Sequence, residues 1–230
     1  MQQITSFDSL LNHLEEADGD YARSSLDAYF FERAYTGSSF DNLCSGDKYR
    51  FTADDIVAVS MLSVNIPPSA TRWILGDGQH QLTELLKGID TDLSIHDPEA
   101  DLTKGKNAWN LWREIHSLWG VGETMASKLL ATKRPFLFPI YDKHVARSLK
   151  LLPENYWQPW QDFIRSESGE KATRIVIGLA KSIGKESLSP LRLLDVVVWM
   201  HQHGHKFITN KLVAEGKMKH VNYHTPSDLH

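Results

Sequence analysis

Two short stretches carry residues that could do chemistry together. The first, Gly120-Val121-Gly122-Glu123-Thr124-Met125-Ala126-Ser127-Lys128, sets two glycines around an apolar residue and then opens a helical pattern. Glycines let a backbone approach a phosphate oxygen with no Cβ in the way. The helix that follows offers unpaired N–H groups and the positive end of its dipole. The second stretch, Pro139-Ile140-Tyr141-Asp142-Lys143-His144-Val145-Ala146-Arg147, places a carboxylate at the start of another helix. A carboxylate held there can stabilise a developing positive charge or activate a water. It can equally serve only as an N-cap, a role worth about 1 kcal/mol.

The elements needed to position these groups read as helices. Ser6 is set to cap Phe7–Glu16, and Thr52 with Asp55 makes an Asp form of the capping box ahead of Ile56–Leu62. The latter run is rich in β-branched residues, so a strand is the alternative there. Pro68 suits the first turn of the helix through Ser69–Leu75, which Gly76 and Gly78 end. In Asn107–Trp119 the apolar residues 108, 111, 112, 115, 118 and 119 keep helical spacing. Asp142 is set to cap Lys143–Leu152, and Ser189 caps the helix that carries Pro190. Arg134–Pro139 is expected to be extended around its prolines. The polar stretch 89–103 reads as a connection. The expected fold is all-α and two-lobed: an acidic helical lobe at 1–100, a hairpin-bearing lobe at 101–216 and a polar tail at 217–230.

Charge is segregated along the chain. Its formal net charge is −4, but residues 1–100 hold six basic against seventeen acidic residues. Residues 101–150 reverse this, with nine basic against four acidic. The positive excess therefore coincides with the two stretches above, where a polyanion could be held. The acidic first hundred residues would suit a basic protein partner. A single cysteine, Cys44, excludes an internal disulfide, a cysteine-ligated zinc and an iron–sulfur cluster. The alternate spacing in His201-Gln202-His203-Gly204-His205 scatters the rings at a helix end, so no metal is expected there. Apolar runs are too short to span a membrane and the first twenty residues lack the pattern of a secretory signal. The expectation is a cytoplasmic monomer that needs no cofactor.

Trp119–Leu149 resembles the helix-hairpin-helix plus aspartate signature of the DNA glycosylase superfamily, which includes endonuclease III and the adenine and alkyladenine glycosylases. The carriers are Gly120-Val121-Gly122, the spacing to Asp142, and Asp142-Lys143-His144-Val145-Ala146-Arg147. The resemblance implies double-stranded DNA as partner and a monovalent cation held by hairpin carbonyls. It implies Asp142 as the catalytic carboxylate, and DNA contacts from Gly120, Val121, Gly122, Thr124, Lys128, Lys143 and Arg147. Family members flip a base into an aromatic pocket, for which Trp112, Tyr141 and His144 are available. Members that also cut the strand carry a lysine where this chain has Thr124, so the implied activity is single-step hydrolysis without lyase chemistry. The usual leading Leu-Pro is Leu118-Trp119 here, and residues 1–100 align with no part of the glycosylases. The chain as a whole is similar to a group of uncharacterised bacterial proteins. Two other readings stand beside hydrolysis: a non-catalytic DNA-binding hairpin protein, and a helical protein-interaction domain whose glycines only make a tight corner.

Overall fold

The computed structural model of the chain describes residues 3–31, 35–44 and 46–204. The tail expected at 217–230 and His205 lie outside the described residues. Among those described there are twelve α-helices, three short 3₁₀ helices and no strand, so the fold is all-α. The β-branched run Ile56–Met61 is helical, because the capping box starts it as one and its Ala58 and Val59 are buried on a single face. No helix among the described residues is long and apolar enough to cross a membrane.

The helices are α1 (Phe7–Glu15), α2 (Asp20–Phe31), α3 (Phe40–Leu43), α4 (Ala53–Met61), α5 (Pro68–Leu75) and α6 (Gln79–Lys87). They continue with α7 (Asn107–His116), α8 (Glu123–Ala131), α9 (Lys143–Leu149), α10 (Trp157–Ile164), α11 (Glu167–Ser182) and α12 (Pro190–His203). The local signals act where the side chains predict. The Ser6 hydroxyl accepts from the Ser9 N–H, Asp55 accepts from the Thr52 N–H, and the Ser189 hydroxyl accepts from the Arg192 N–H. Each satisfies a helix N-terminus that would otherwise leave donors unpaired.

Packing joins the two ends of the chain. Helix α1 lies on α11 and α2 on α12, while α4 lies on α8, and α7 packs against α6 and α8. Helix α12 is the central post: Leu193, Leu194, Val196, Val197, Val198 and Met200 are all fully buried. Such an all-round apolar helix can only sit inside the protein. It also packs on α9, the helix that Asp142 precedes.

Arg134-Pro135-Phe136-Leu137 is a turn rather than an extended run. The Leu137 and Phe138 N–H groups both donate to the Arg134 carbonyl, and Pro135 takes a position in the turn that needs no donor. Arg134 is 1% exposed and its guanidinium donates to the carbonyls of Leu86, Ile89 and Lys48. It thus closes the C-terminal end of α6, where orphan carbonyls gather. Lys133 is buried as well, 2.6 Å from the fully buried Asp55 carboxylate. With Lys128, three of the nine basic residues counted at 101–150 point inward. The surface of this segment is correspondingly less positive than its sequence.

Candidate functional site

The hairpin between α7 and α8 is built by Ser117–Gly122. The Val121 N–H donates to the Leu118 carbonyl at 3.0 Å, and Gly120 adopts φ +76°. Side chains rarely tolerate that conformation, and a Cβ there would also stand 3.0 Å from Pro67 Cγ. Val121 is buried and pins the turn to the core. Gly122 forms the N-cap of α8, and a Cβ on it would meet no atom of the described residues within 4 Å. Its outer face is therefore open to a ligand. Among the described residues, the carbonyls of Trp119, Gly120 and Val121 accept no hydrogen bond. Trp119 stands at the tip, 84% exposed. Glu123 begins α8 and lies 3.4 Å from His116.

Two hydrogen bonds fix the segment that leads to Asp142. The Tyr141 N–H donates to Ser127 Oγ on α8 at 2.8 Å, and the Tyr156 hydroxyl donates to the Ile140 carbonyl at 2.6 Å. Asp142 is extended, and its Oδ1 accepts from the His144 N–H at 2.9 Å. The cap uses one oxygen. The other, Oδ2, lies 3.9 Å from the Lys128 amine.

These groups meet in a cavity of about 600 Å³. Thr124 and Lys128 of α8 line it, as do Asp142, Lys143 and His144. The far wall comes from Tyr29, from Tyr35-Thr36-Gly37 and from Asp195 and Trp199 of α12. Lys128 is 4% exposed and donates to the Leu62 carbonyl at 2.8 Å, at the C-terminal end of α4 where a cation is favoured. Desolvation lowers its pKa, and the charges of Asp142 and Asp195 oppose that shift. Burial similarly lowers the pKa of His144, helped by His203, whose ring meets it edge-on at 4.4 Å. His203 stacks in turn on Trp199 at 4.3 Å.

Beneath the cavity lies a buried charge network centred on Arg192. It donates through Nε to both oxygens of Asp41, through Nη1 to Asp195, and through Nη2 to the Tyr29 hydroxyl and the Gly37 carbonyl. Burial works against the guanidinium charge, but Asp41, Tyr29 and Asp195 outweigh it and hold the pKa above its ordinary value. Asp195 goes the other way for a carboxyl, pushed up to about 7. Burial is the main cause; Arg192 opposes it, while nearby Asp142 adds to it. The Arg192 charge is shared with Asp41, so Asp195 receives only part of it. Arg192 and Asp195 thus form an i,i+3 ion pair within α12, and the Tyr35–Asp41 stretch both lines the cavity and supplies Asp41.

Not every sequence-derived site residue reaches this cavity. Lys143 at the start of α9 and Arg147 in its last turn are both exposed, with Lys143 on the rim. Trp112 and Tyr141 open instead onto a second cavity of about 380 Å³. The division is geometric. Successive residues of an extended segment point opposite ways, so Tyr141 and Asp142 diverge. Glu123 and Ser127 face the second cavity from α8, one position round from Thr124 and Lys128. Tyr29 and Trp199 were not singled out by sequence reasoning, and His203 only within the histidine-rich stretch weighed for metal. Only the i,i+4 spacing of Trp199 and His203 hinted at that ring pair.

Residues 22–202 match the model of a family described as Family of unknown function (DUF6308). The chain belongs to this family. The matched span contains the hairpin and every cavity-lining residue named above except His203. No curated protein and no solved structure matches the chain. Among the described residues no group of three or more His, Cys, Asp or Glu is placed to hold a metal ion.

Proposed function

We propose that the chain binds double-stranded DNA across the α7–α8 hairpin and hydrolyses the N-glycosidic bond of a damaged or modified base. The two lobes expected from sequence, 1–100 and 101–216, would then both line the cavity, the first between Tyr29 and Val64 and the second between Thr124 and His203. The observation that carries the reading is the division of labour at Asp142. One oxygen caps α9, and the other stands at the wall of a cavity large enough for a base, beside the Lys128 amine. That carboxylate can stabilise the positive charge that develops on the sugar as the bond to the base breaks.

Several features support the DNA side. Gly122 leaves the N-terminus of α8 open, Lys143 and Arg147 are exposed on α9, and Trp119 projects from the hairpin tip. The carbonyls of Trp119, Gly120 and Val121 would hold the monovalent cation that the resemblance implies, which would screen a phosphate there. Val121 itself contributes its backbone, since its side chain is in the core. Lys128 acts inside the cavity rather than on the DNA backbone. With Thr124 at the position of the strand-cutting lysine, hydrolysis proceeds in one water-mediated step.

A second reading, a helical interaction domain, is favoured by Glu123. Its carboxylate occupies the first turn of α8, where a phosphate would bind. One pair of measurements separates the two. Duplex binding that weakens steeply with salt supports the DNA reading. Base release from a panel of damaged and modified duplexes, abolished in Asp142→Asn with binding intact, supports hydrolysis. No release by the wild-type protein across the panel removes the enzyme; no duplex binding leaves the interaction domain.

A further inference from the structure

The second cavity, about 380 Å³, has no part in that reading and has its own chemistry. Its walls are Trp109 and Trp112 of α7, Trp157 of α10, and Tyr141 and Tyr156. Trp112 and Trp157 meet at 76° with centroids 6.0 Å apart, and Tyr141 and Tyr156 at 74° and 4.8 Å. Both pairs meet edge-to-face, so the walls set ring faces at an angle to one another, and Trp112 also stacks on His116 at 4.4 Å. Aromatic faces carry negative potential. Two carboxylates, Glu123 and Glu154, stand at the same cavity. The Tyr141 phenol is pushed up by burial and by the charges of Glu123, Asp142 and Glu154, which marks the local potential as negative. Among the described residues the cavity's one lining cation is Lys104, whose amine lies 5.8 Å from the Trp109 centroid on an exposed stem. Arg113 also lies over that ring, at 5.2 Å.

We propose that this cavity binds a methylated or quaternary ammonium group, enclosed by the tryptophan and tyrosine rings and balanced by Glu123 and Glu154. Rings cannot replace the water that a primary ammonium gives up, but a methylated ammonium is weakly hydrated and loses little on entering. The two carboxylates disfavour a phosphate inside this cavity, and with it a nucleotide as the occupant. The inference is independent of DNA hydrolysis.

Calorimetric titration of the full chain tests it with tetramethylammonium, choline and Nε-trimethyl-lysine. Neohexyl alcohol, the neutral isostere of choline, and unmodified lysine are the controls. A methylated cation is expected to bind about tenfold more tightly than its control. Binding of choline alone assigns a free small molecule; binding of trimethyl-lysine alone assigns a modified peptide. Glu154→Gln should weaken the cation and Lys104→Gln should strengthen it, both at exposed positions that leave thermal melting unchanged. The proposal is overturned if the neutral isostere binds equally, if no methylated cation binds at up to about 10 mM, or if both substitutions leave affinity unaltered.

Discussion

The Lys128 amine lies 3.9 Å from Asp142 Oδ2, and the two side chains are only 5% and 18% exposed. One residue ends a hairpin helix by a turn's length and the other begins the next helix, fourteen positions on. Because Asp142 Oδ1 is committed to the cap, the ammonium can engage only the oxygen that the cavity sees. Screening by water is weak at that depth, so the pair orders the carboxylate for a ligand.

Asp142→Asn preserves a good capping oxygen but removes the counter-charge of the buried Lys128 ammonium, so it should lose about 1 kcal/mol, and Asp142→Ala, which also loses the cap, about 2 kcal/mol. Both should abolish base release. Urea denaturation and a release assay on the same preparations check the two arms; retained release in Asp142→Asn would remove the carboxylate from the chemistry.

The hairpin glycines should separate fold from ligand. Gly120→Ala forces a side chain into φ +76° and against Pro67, with an expected loss of more than about 1 kcal/mol. Gly122→Ala meets no atom of the described residues and should cost at most about 1 kcal/mol as a cap change. It should nevertheless weaken duplex binding, measured by fluorescence anisotropy. Binding equal to wild type would show that no ligand approaches there.

Glu123 and Trp119 give opposite signs in the same assay. Glu123→Gln removes a negative charge from the start of α8 and should tighten DNA binding, most visibly at low salt. Trp119→Ser removes an 84% exposed ring and should weaken binding with little effect on melting temperature. If both variants bind as wild type does, the hairpin is not the DNA contact.

Asp195 predicts a pH dependence of stability. It faces Arg192, Asp142 and Lys128, and its pKa of about 7 in the fold stands above the ordinary carboxyl value of 3.8. Between those values the folded state binds more protons than the unfolded state. Stability from this group is therefore complete below about pH 4 and is lost as pH rises through about 7, by on the order of a few kcal/mol. Asp195→Asn cannot ionise. Denaturation at pH 5 and pH 7.5 should show wild type losing stability relative to the variant, and parallel curves would contradict the assignment.

What was legible in the sequence was local. Ser6, Thr52, Asp142 and Ser189 cap helices because a cap needs only a neighbour two or three residues away. Gly120 was legible for the same reason, since its turn closes on Leu118. The interiors of Lys128, Lys133 and Arg134 were not. Their acceptors are the carbonyls of Leu62, Asp47 and Lys48, which lie 66 to 86 positions away, and no spacing rule anticipates them. The separation of Tyr141 and Trp112 from Asp142 was hidden similarly, because it depends on where α8 stands between two cavities.

Arg192 carries one more consequence. It is joined to Tyr29 across 163 positions and to Asp41 across 151. A chain emerging from the ribosome can fold its hairpin as soon as α8 is out, but the floor of the cavity awaits α12. Such distant closures are slow to form, so the surface that would grip a partner matures before the pocket that would act on it.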